Sequence, residues 1–185
     1  MIDQGMNPFL KDCIQVGSWA VAIIGGLIAA GVALYQQRAN RKQREIELRW
    51  NQAKLGRELF DQMFNTSGQA LVMLDYYEEN RAFAAIPGGD KTVGLKDILT
   101  ALDNASRADK SIYIRERLDE LFYHFERIEN SIVNELVTFD DVICPSEYYA
   151  EILAKEKKVY AAYLKHAGYK RAPQFLDRFP QWRDA

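Results

Sequence analysis

The residues of this chain best suited to acid-base chemistry are one arginine and one histidine, Arg117 and His124. The sequence holds only two histidines, so a general base built on an imidazole must be His124 or His166. Positions seven apart lie on the same face of a helix, so the guanidinium of Arg117 and the imidazole of His124 are predicted to project together. A second copy of this pair from another chain could complete a site for cutting RNA.

A structural role is the alternative for the same two residues. Arg117 would then pair with Asp119, with Glu120 or with a neighbouring helix. His124 would flank an apolar seam beside Leu121. This interpretation is favoured, because one Arg-His spacing is a weak motif in an arginine-rich chain.

A second candidate is a basic stretch interleaved with tyrosines near the end of the chain. Basic groups beside aromatic rings can follow a phosphate backbone and stack on bases. The same composition is more typical of the solvated face of an amphipathic helix whose tyrosines are buried, and we prefer that interpretation. The basic residues are Lys155, Lys157, Lys158, Lys165, Lys170 and Arg171, and the aromatic ones are Tyr160, Tyr163 and Tyr169.

Other chemistry finds little support in the sequence. There is no Gly-rich phosphate loop, Walker lysine pattern, Gly-x-Ser-x-Gly or His-Glu-x-x-His motif. Two cysteines, Cys13 and Cys144, are too few for a disulfide framework and lack zinc or iron-sulfur spacing. A net charge of -2 argues against a strongly basic nucleic-acid binder. We therefore predict no cofactor, no metal and no small-molecule substrate, and favour a non-enzymatic role over a catalytic one.

The element that precedes these candidates is an uncharged stretch near the N-terminus. Residues 13–37 contain no Asp, Glu, Lys or Arg, and about 20 apolar residues suffice to cross a bilayer as a helix. Trp19 and Tyr35 lie toward its two ends, where aromatic rings favour the headgroup layer. The sequence predicts a transmembrane helix over residues 13–35, preceded by an extracytoplasmic segment over residues 1–12.

Two alternatives to a retained anchor are a cleaved signal peptide and a buried helix of a soluble core. Gly31-Val32-Ala33 offers the small-x-small pattern of a cleavage site. However, no net positive charge precedes the apolar run, and the run is longer than the ~7–15 residues of a signal core. A core helix rarely stays uncharged this long before switching to a basic, glutamine-rich stretch.

Four basic residues follow the span at once: Arg38, Arg41, Lys42 and Arg44. Basic residues next to a span favour the cytosolic side. The predicted topology has the N-terminus outside and about 150 residues inside. The same flank could attract anionic lipid, at ~1 kcal/mol per basic residue near the surface.

One face of the predicted span is made of small side chains, which let helix backbones approach closely in lipid. Gly and Ala are also common in membrane helices for no special reason. A chain with one span can use such a packing face only against another chain, so the sequence predicts a homo-oligomer. The face comprises Ser18, Ala22, Gly26 and Ala30 at every fourth position, with Gly25, Ala29 and Ala33 in the adjacent row.

Beyond the span the pattern is helical. A cytosolic extension of the helix is predicted over residues 36–64, and residues 65–68, Asn-Thr-Ser-Gly, are expected to break it. A cytosolic helical domain follows over residues 65–185. Its strongest helix covers about residues 108–136 and carries a seam that must be buried against another helix. The seam residues are Ile114, Leu118, Leu121, Phe125, Ile128 and Ile132.

Local signals divide the rest of the domain. Residues 85–90 are predicted to form a loop. Pro145 is expected in the first turn of the next helix, Gly168 at its end, and Pro180 at the end of a last short helix. No convincing hairpin or βαβ pattern is present. The predicted fold class is all-α, with one N-terminal transmembrane helix continuing into a cytosolic helical bundle.

This layout resembles that of the small membrane-anchored accessory proteins of type VI-B CRISPR systems, whose domain is HEPN-like, and of related bacterial single-span proteins of unknown function. The shared features are the span with its small-residue face, the helix through residues 41–50, the all-α domain and the Arg117/His124 pair. The pair is similar to the R-x4-6-H signature of HEPN ribonucleases, which are all-α and work as dimers. Leu118 follows the arginine where those proteins favour a polar residue.

The resemblance implies a HEPN-like domain and an anti-phage accessory in the bacterial inner membrane. Such a protein assembles as a homo-oligomeric ring, forms a pore, and perturbs the membrane once an RNA-guided nuclease has recognised phage transcripts. We favour this function. The alternatives are a membrane-tethered ribonuclease that uses Arg117 and His124, with RNA as its partner, and a non-catalytic tether or scaffold.

Overall fold

The computed structural model describes residues 8–87, 89–103 and 106–185. Within them the chain is mostly helical, so the predicted helical class is confirmed. It divides into two units, with the boundary between Trp50 and Asn51. Most of the predicted extracytoplasmic segment 1–12 lies outside the described residues.

The first helix, α1, runs from Pro8 to Asp75 and contains the whole predicted span and its extension. The predicted break at residues 65–68 is wrong, because α1 passes through it without interruption. Met63, Ala70 and Leu74 on either side of this stretch are all buried. Burial of one large apolar side chain is worth about 1.5–3 kcal/mol, which outweighs the cost of about 1 kcal/mol for glycine inside a helix.

The second unit adds six further helices and one small sheet within the described residues. A 3-10 turn precedes α4, and the peptide bond between Cys144 and Pro145 is cis. The elements are β1 (Arg81–Ala82), β2 (Thr92–Val93), α2 (Leu95–Leu102), α3 (Asp109–Val133), the 3-10 turn (Phe139–Asp141), α4 (Ile143–Ala154), α5 (Lys157–Ala167), α6 (Ala172–Leu176) and α7 (Pro180–Arg183).

The small sheet is a hairpin that the sequence did not predict. Its two strands pair antiparallel, with Arg81 opposite Val93 and Ala82 opposite Thr92. Strands of two residues are too short to show the alternating pattern by which a strand is recognised. The predicted loop over residues 85–90 lies between them.

Near the end of the chain two boundaries differ from the prediction. The single helix expected from Pro145 to Gly168 is two helices, α4 and α5. Gly168 ends α5 in the left-handed region, with φ 83°, as a C-terminal glycine is expected to. Pro180 begins α7 and does not end the helix before it, because proline fits the first turn, where its missing N–H needs no partner.

The core of the second unit is built around α3. The predicted seam is confirmed: five of its residues are fully buried, and the sixth, Ile132, is partly buried. Aromatic rings continue the core toward the C-terminus, with Phe125 and Phe175 at 5.2 Å between centroids and Phe175 and Phe179 at the same distance. The fully buried seam residues are Ile114, Leu118, Leu121, Phe125 and Ile128.

Candidate functional site

The apolar part of α1 leaves its large side chains uncovered. An 18-residue window of this helix has a mean hydropathy of 2.0 and none of it is buried within the chain, so the helix is long and apolar enough to cross a membrane. The exposed fractions of nine large side chains lie between 50% and 75%. They belong to Trp19, Val21, Ile23, Ile24, Leu27, Ile28, Val32, Leu34 and Tyr35.

The predicted small-residue face lies on the same exposed helix. A Cβ atom added at Gly25, Gly26 or Gly31 would meet no described atom of this chain within 4 Å. The described chain therefore offers no packing reason for glycine at these positions. All seven predicted packing residues are helical and exposed, namely Ser18, Ala22, Gly25, Gly26, Ala29, Ala30 and Ala33.

The basic flank directly follows this stretch. Arg38, Arg41, Lys42 and Arg44 are exposed side chains of α1. Exposed apolar residues follow within the same helix, with Ile46 69%, Leu48 59% and Trp50 71% exposed. The described unit thus passes from an apolar run to a mixed basic and apolar run without leaving the helix.

Arg117 lies half-buried on α3 and is held by acidic neighbours. Its Nη1 is 2.7 Å from Oε1 of Glu120, and its Nη2 is 3.8 Å from Oε2 of Glu116. The guanidinium also lies over the ring of Tyr113, 5.5 Å from its centroid. Asp119, the other acid considered for Arg117, instead accepts a hydrogen bond from the hydroxyl of Tyr163. Arg117 is therefore engaged within its own helix.

His124 lies on the buried side of the same helix, with only 4% of its surface exposed. Burial lowers the pKa of the imidazole, and the nearby charge of Arg127 lowers it further. Within the described part of the chain, no hydrogen bond or ring contact joins His124 to Arg117. Both side chains thus occupy the positions of the structural interpretation, and the imidazole is not open to a large substrate in this conformation.

Sequence reasoning missed a polar pocket of about 260 Å³ at the end of α1. Asp75, Glu78, Tyr148 and Lys155 line it, and they come from distant parts of the chain that no motif connects. Burial raises the pKa of Asp75, while a hydrogen bond from Tyr148 acts in the opposite direction. The described residues contain no group of three or more His, Cys, Asp or Glu placed to hold a metal ion.

Comparison of this chain with family models, with curated proteins and with solved structures gave no match. Its function is therefore inferred from its residues and their geometry. The resemblance in layout to CRISPR accessory proteins stays a prediction.

The buried imidazole predicts a pH dependence of stability. The unfolded chain binds a proton at His124 near the ordinary pKa of 6.5, whereas the folded chain resists that proton. The free energy of unfolding is therefore expected to fall as the pH is lowered from 7 to 5, by about 1.4 kcal/mol for each unit of difference between the two pKa values.

The measurement is urea unfolding of the full chain in neutral detergent, followed by circular dichroism across this pH range. His124→Leu should flatten the profile. His166→Leu makes the same chemical change at the exposed histidine of α5 and is the matched control. An unaltered slope in His124→Leu would show that other groups cause the dependence.

Proposed function

We propose that this protein is a membrane-anchored helical effector of bacterial anti-phage defence, which self-associates in the inner membrane and perturbs it. The uncovered apolar run of α1 carries this proposal. Its N-terminal end lies outside, and the basic flank and the helical domain lie in the cytosol. The partners are further copies of the chain, the lipid bilayer and an RNA-guided nuclease.

The cost of leaving the apolar run in water supports the membrane anchor. Nine large apolar side chains are at least half exposed on this helix, and each gains about 1.5–3 kcal/mol from full burial. Their exposure to water would cost on the order of 15 kcal/mol, as much as the whole stability of an ordinary domain. A hydrocarbon environment removes this cost.

The small-residue face supports self-association. Lipid gives two apolar helices no hydrophobic reason to associate, so close backbone contact along small residues becomes the main attraction. A Cβ atom added at Gly25 or Gly26 would meet no described atom of another part of the chain within 4 Å. In this proposal the surface that faces them belongs to a second copy of the chain, which supplies the same face.

The defence role and the pore follow from the resemblance in layout to the accessory proteins of type VI-B CRISPR systems. In this proposal the chains form a ring and open the membrane after the nuclease has recognised phage transcripts. The ribonuclease alternative needs an accessible His124, and this imidazole is 4% exposed. The tether alternative requires only the anchor.

Self-association can be tested by measuring particle mass. The full chain in neutral detergent is expected to give a particle of several chains by light scattering. The double variant Gly25→Leu/Gly26→Leu should reduce this mass at least twofold, because leucine keeps the backbones apart. Gly31→Leu is the matched control, since Gly31 lies about 140° around the helix from Gly26.

Different outcomes separate the alternatives. A strictly monomeric wild-type chain would remove the effector proposal. RNA cleavage by the wild type that disappears in a folded His124→Ala variant would establish the ribonuclease. Phage restriction that survives replacement of the span by an unrelated one would favour the tether.

A further inference from the structure

A basic groove of about 500 Å³ lies between α5 and the segment that follows it. Three lysines from different places line it: Lys157 at the start of α5, Lys165 near its end and Lys170 beyond it. Among the described residues of the lining, Asp177 carries the only carboxylate. One helix and the residues just after it therefore bring these charged side chains to one cavity, with a net charge of +2.

The sequence around the groove is also predominantly basic. Residues 155–171 hold six basic residues and one acidic residue, although the whole chain carries a net charge of -2. The side chains of Lys165 and Lys170 are exposed, and they form no salt bridge or hydrogen bond with any residue that the structure describes. Like charges gathered in one place are stabilised when an anion binds among them.

Acidic residues of α3 fix the wall of this groove. The hydroxyl of Tyr169 donates to Oδ1 of Asp119 at 3.2 Å. The carboxylate of Glu126 accepts the backbone N–H groups of Arg171 and Ala172, each at 2.7 Å. The backbone beside Lys170 is thus held without a ligand, as a preformed binding site requires.

The other end of the groove is fixed as well. Nζ of Lys157 donates to the backbone oxygen of Arg183 at 3.0 Å and lies 5.7 Å from the ring centroid of Trp182. The indole of Trp182 is 2% exposed, so its face is closed to a nucleobase. The indole therefore provides no stacking platform, whereas tracks for single-stranded nucleic acid combine charge with several such platforms.

We propose that this groove binds a compact soluble ligand that carries two or more phosphate groups. Three ammonium groups suit several phosphate oxygens, because lysine binds phosphate as a point charge. The volume falls within the range of about 300–1,000 Å³ that is typical of small-ligand sites. This proposal does not depend on the membrane role.

The test is isothermal titration of the full chain in non-ionic detergent at low salt, with inorganic pyrophosphate and with ADP as probes. The wild type is expected to bind both with submillimolar affinity. Lys165→Ala/Lys170→Ala should weaken binding at least tenfold. The matched control, Lys54→Ala/Lys96→Ala, removes the same charge outside the groove and should leave the affinity unchanged.

Three results would overturn the proposal. One is the absence of binding by the wild type at millimolar probe, and another is an equal loss in both double variants. The third is tight binding of a 20-nucleotide single-stranded RNA that depends on Lys165 and Lys170 and that pyrophosphate does not displace, because this would identify a nucleic-acid track. Circular dichroism of each variant verifies folding.

Discussion

Replacing Arg178 with methionine is expected to lower the free energy of unfolding of the helical domain by about 3 kcal/mol. The carboxylate of Glu129 on α3 is buried, with 3% of its side chain exposed. Its two oxygens accept hydrogen bonds from Nε and Nη2 of Arg178, each at 2.7 Å. Without the guanidinium this buried charge has no partner among the residues that the structure describes. Arg178 is itself 35% exposed, so water can enter and the cost stays at the low end for a broken buried pair.

A double-mutant cycle separates the buried charge from the loss of packing. Glu129→Leu/Arg178→Met should be less destabilised than Arg178→Met alone, because no charge is then left buried. Arg183→Met is the control. Its pair with Asp184 is 3.3 Å long and well exposed, so its loss should cost less than about 1 kcal/mol. The single variant Glu129→Leu completes the cycle. Urea unfolding of the full chain measures all four variants, and an Arg178→Met variant as stable as wild type would contradict the prediction.

Burial periodicity explains which helices could be predicted. The seam of α3 repeats at spacings of four and three, and this pattern arises only where one side of a helix is covered. The structure buries Ile114, Leu118 and Leu121 completely. Gly168 was predicted as a helix end for a local reason, its easy access to the left-handed region.

Local signals failed where tertiary contacts outweigh them. Residues 65–68 have the composition of a helix break, yet Met63 and Leu74 bury themselves on either side and keep α1 continuous. Proline occurs both in the first turn of a helix and just after a helix end, and Pro180 is the first residue of α7. The hairpin of Arg81–Ala82 with Thr92–Val93 depends on a pairing across a loop, which no short window contains.

In the candidate sites too, contacts within one helix could be predicted from the sequence, whereas contacts that depend on the tertiary fold could not. The pairing of Arg117 with Glu120 could be predicted because residues three apart on a helix are neighbours. The basic groove could not be predicted from the sequence in this way. Lys157 and Lys165 belong to α5, whereas Lys170 reaches the groove only because the chain turns at Gly168 and is held by Glu126. Helical periodicity alone therefore suggested a solvated face and missed the cavity.

Two glycines of α1 that look alike in sequence are expected to respond to alanine in opposite directions. Gly56 is buried, and a Cβ atom there would lie 3.0 Å from the backbone oxygen of Asp141 and 3.1 Å from its Cβ. Asp141 cannot easily yield, because its carboxylate accepts the N–H and the hydroxyl of Thr138 at 2.8 and 2.6 Å. Overpacking typically lowers the free energy of unfolding by about 1–3 kcal/mol. The better helix propensity of alanine raises it by at most about 1 kcal/mol.

Gly68 has open space around its missing side chain, since no described atom lies within 4 Å of an added Cβ. Gly68→Ala should therefore raise the free energy of unfolding by about 0.5–1 kcal/mol, as alanine is the better helix residue. Gly56→Ala should lower it by about 1–2 kcal/mol. Urea unfolding of the two variants side by side decides the matter, because both make the same chemical change in one helix. If Gly56→Ala were as stable as Gly68→Ala, the stretch of α1 around Gly56 would not pack closely against the 3-10 turn at Asp141.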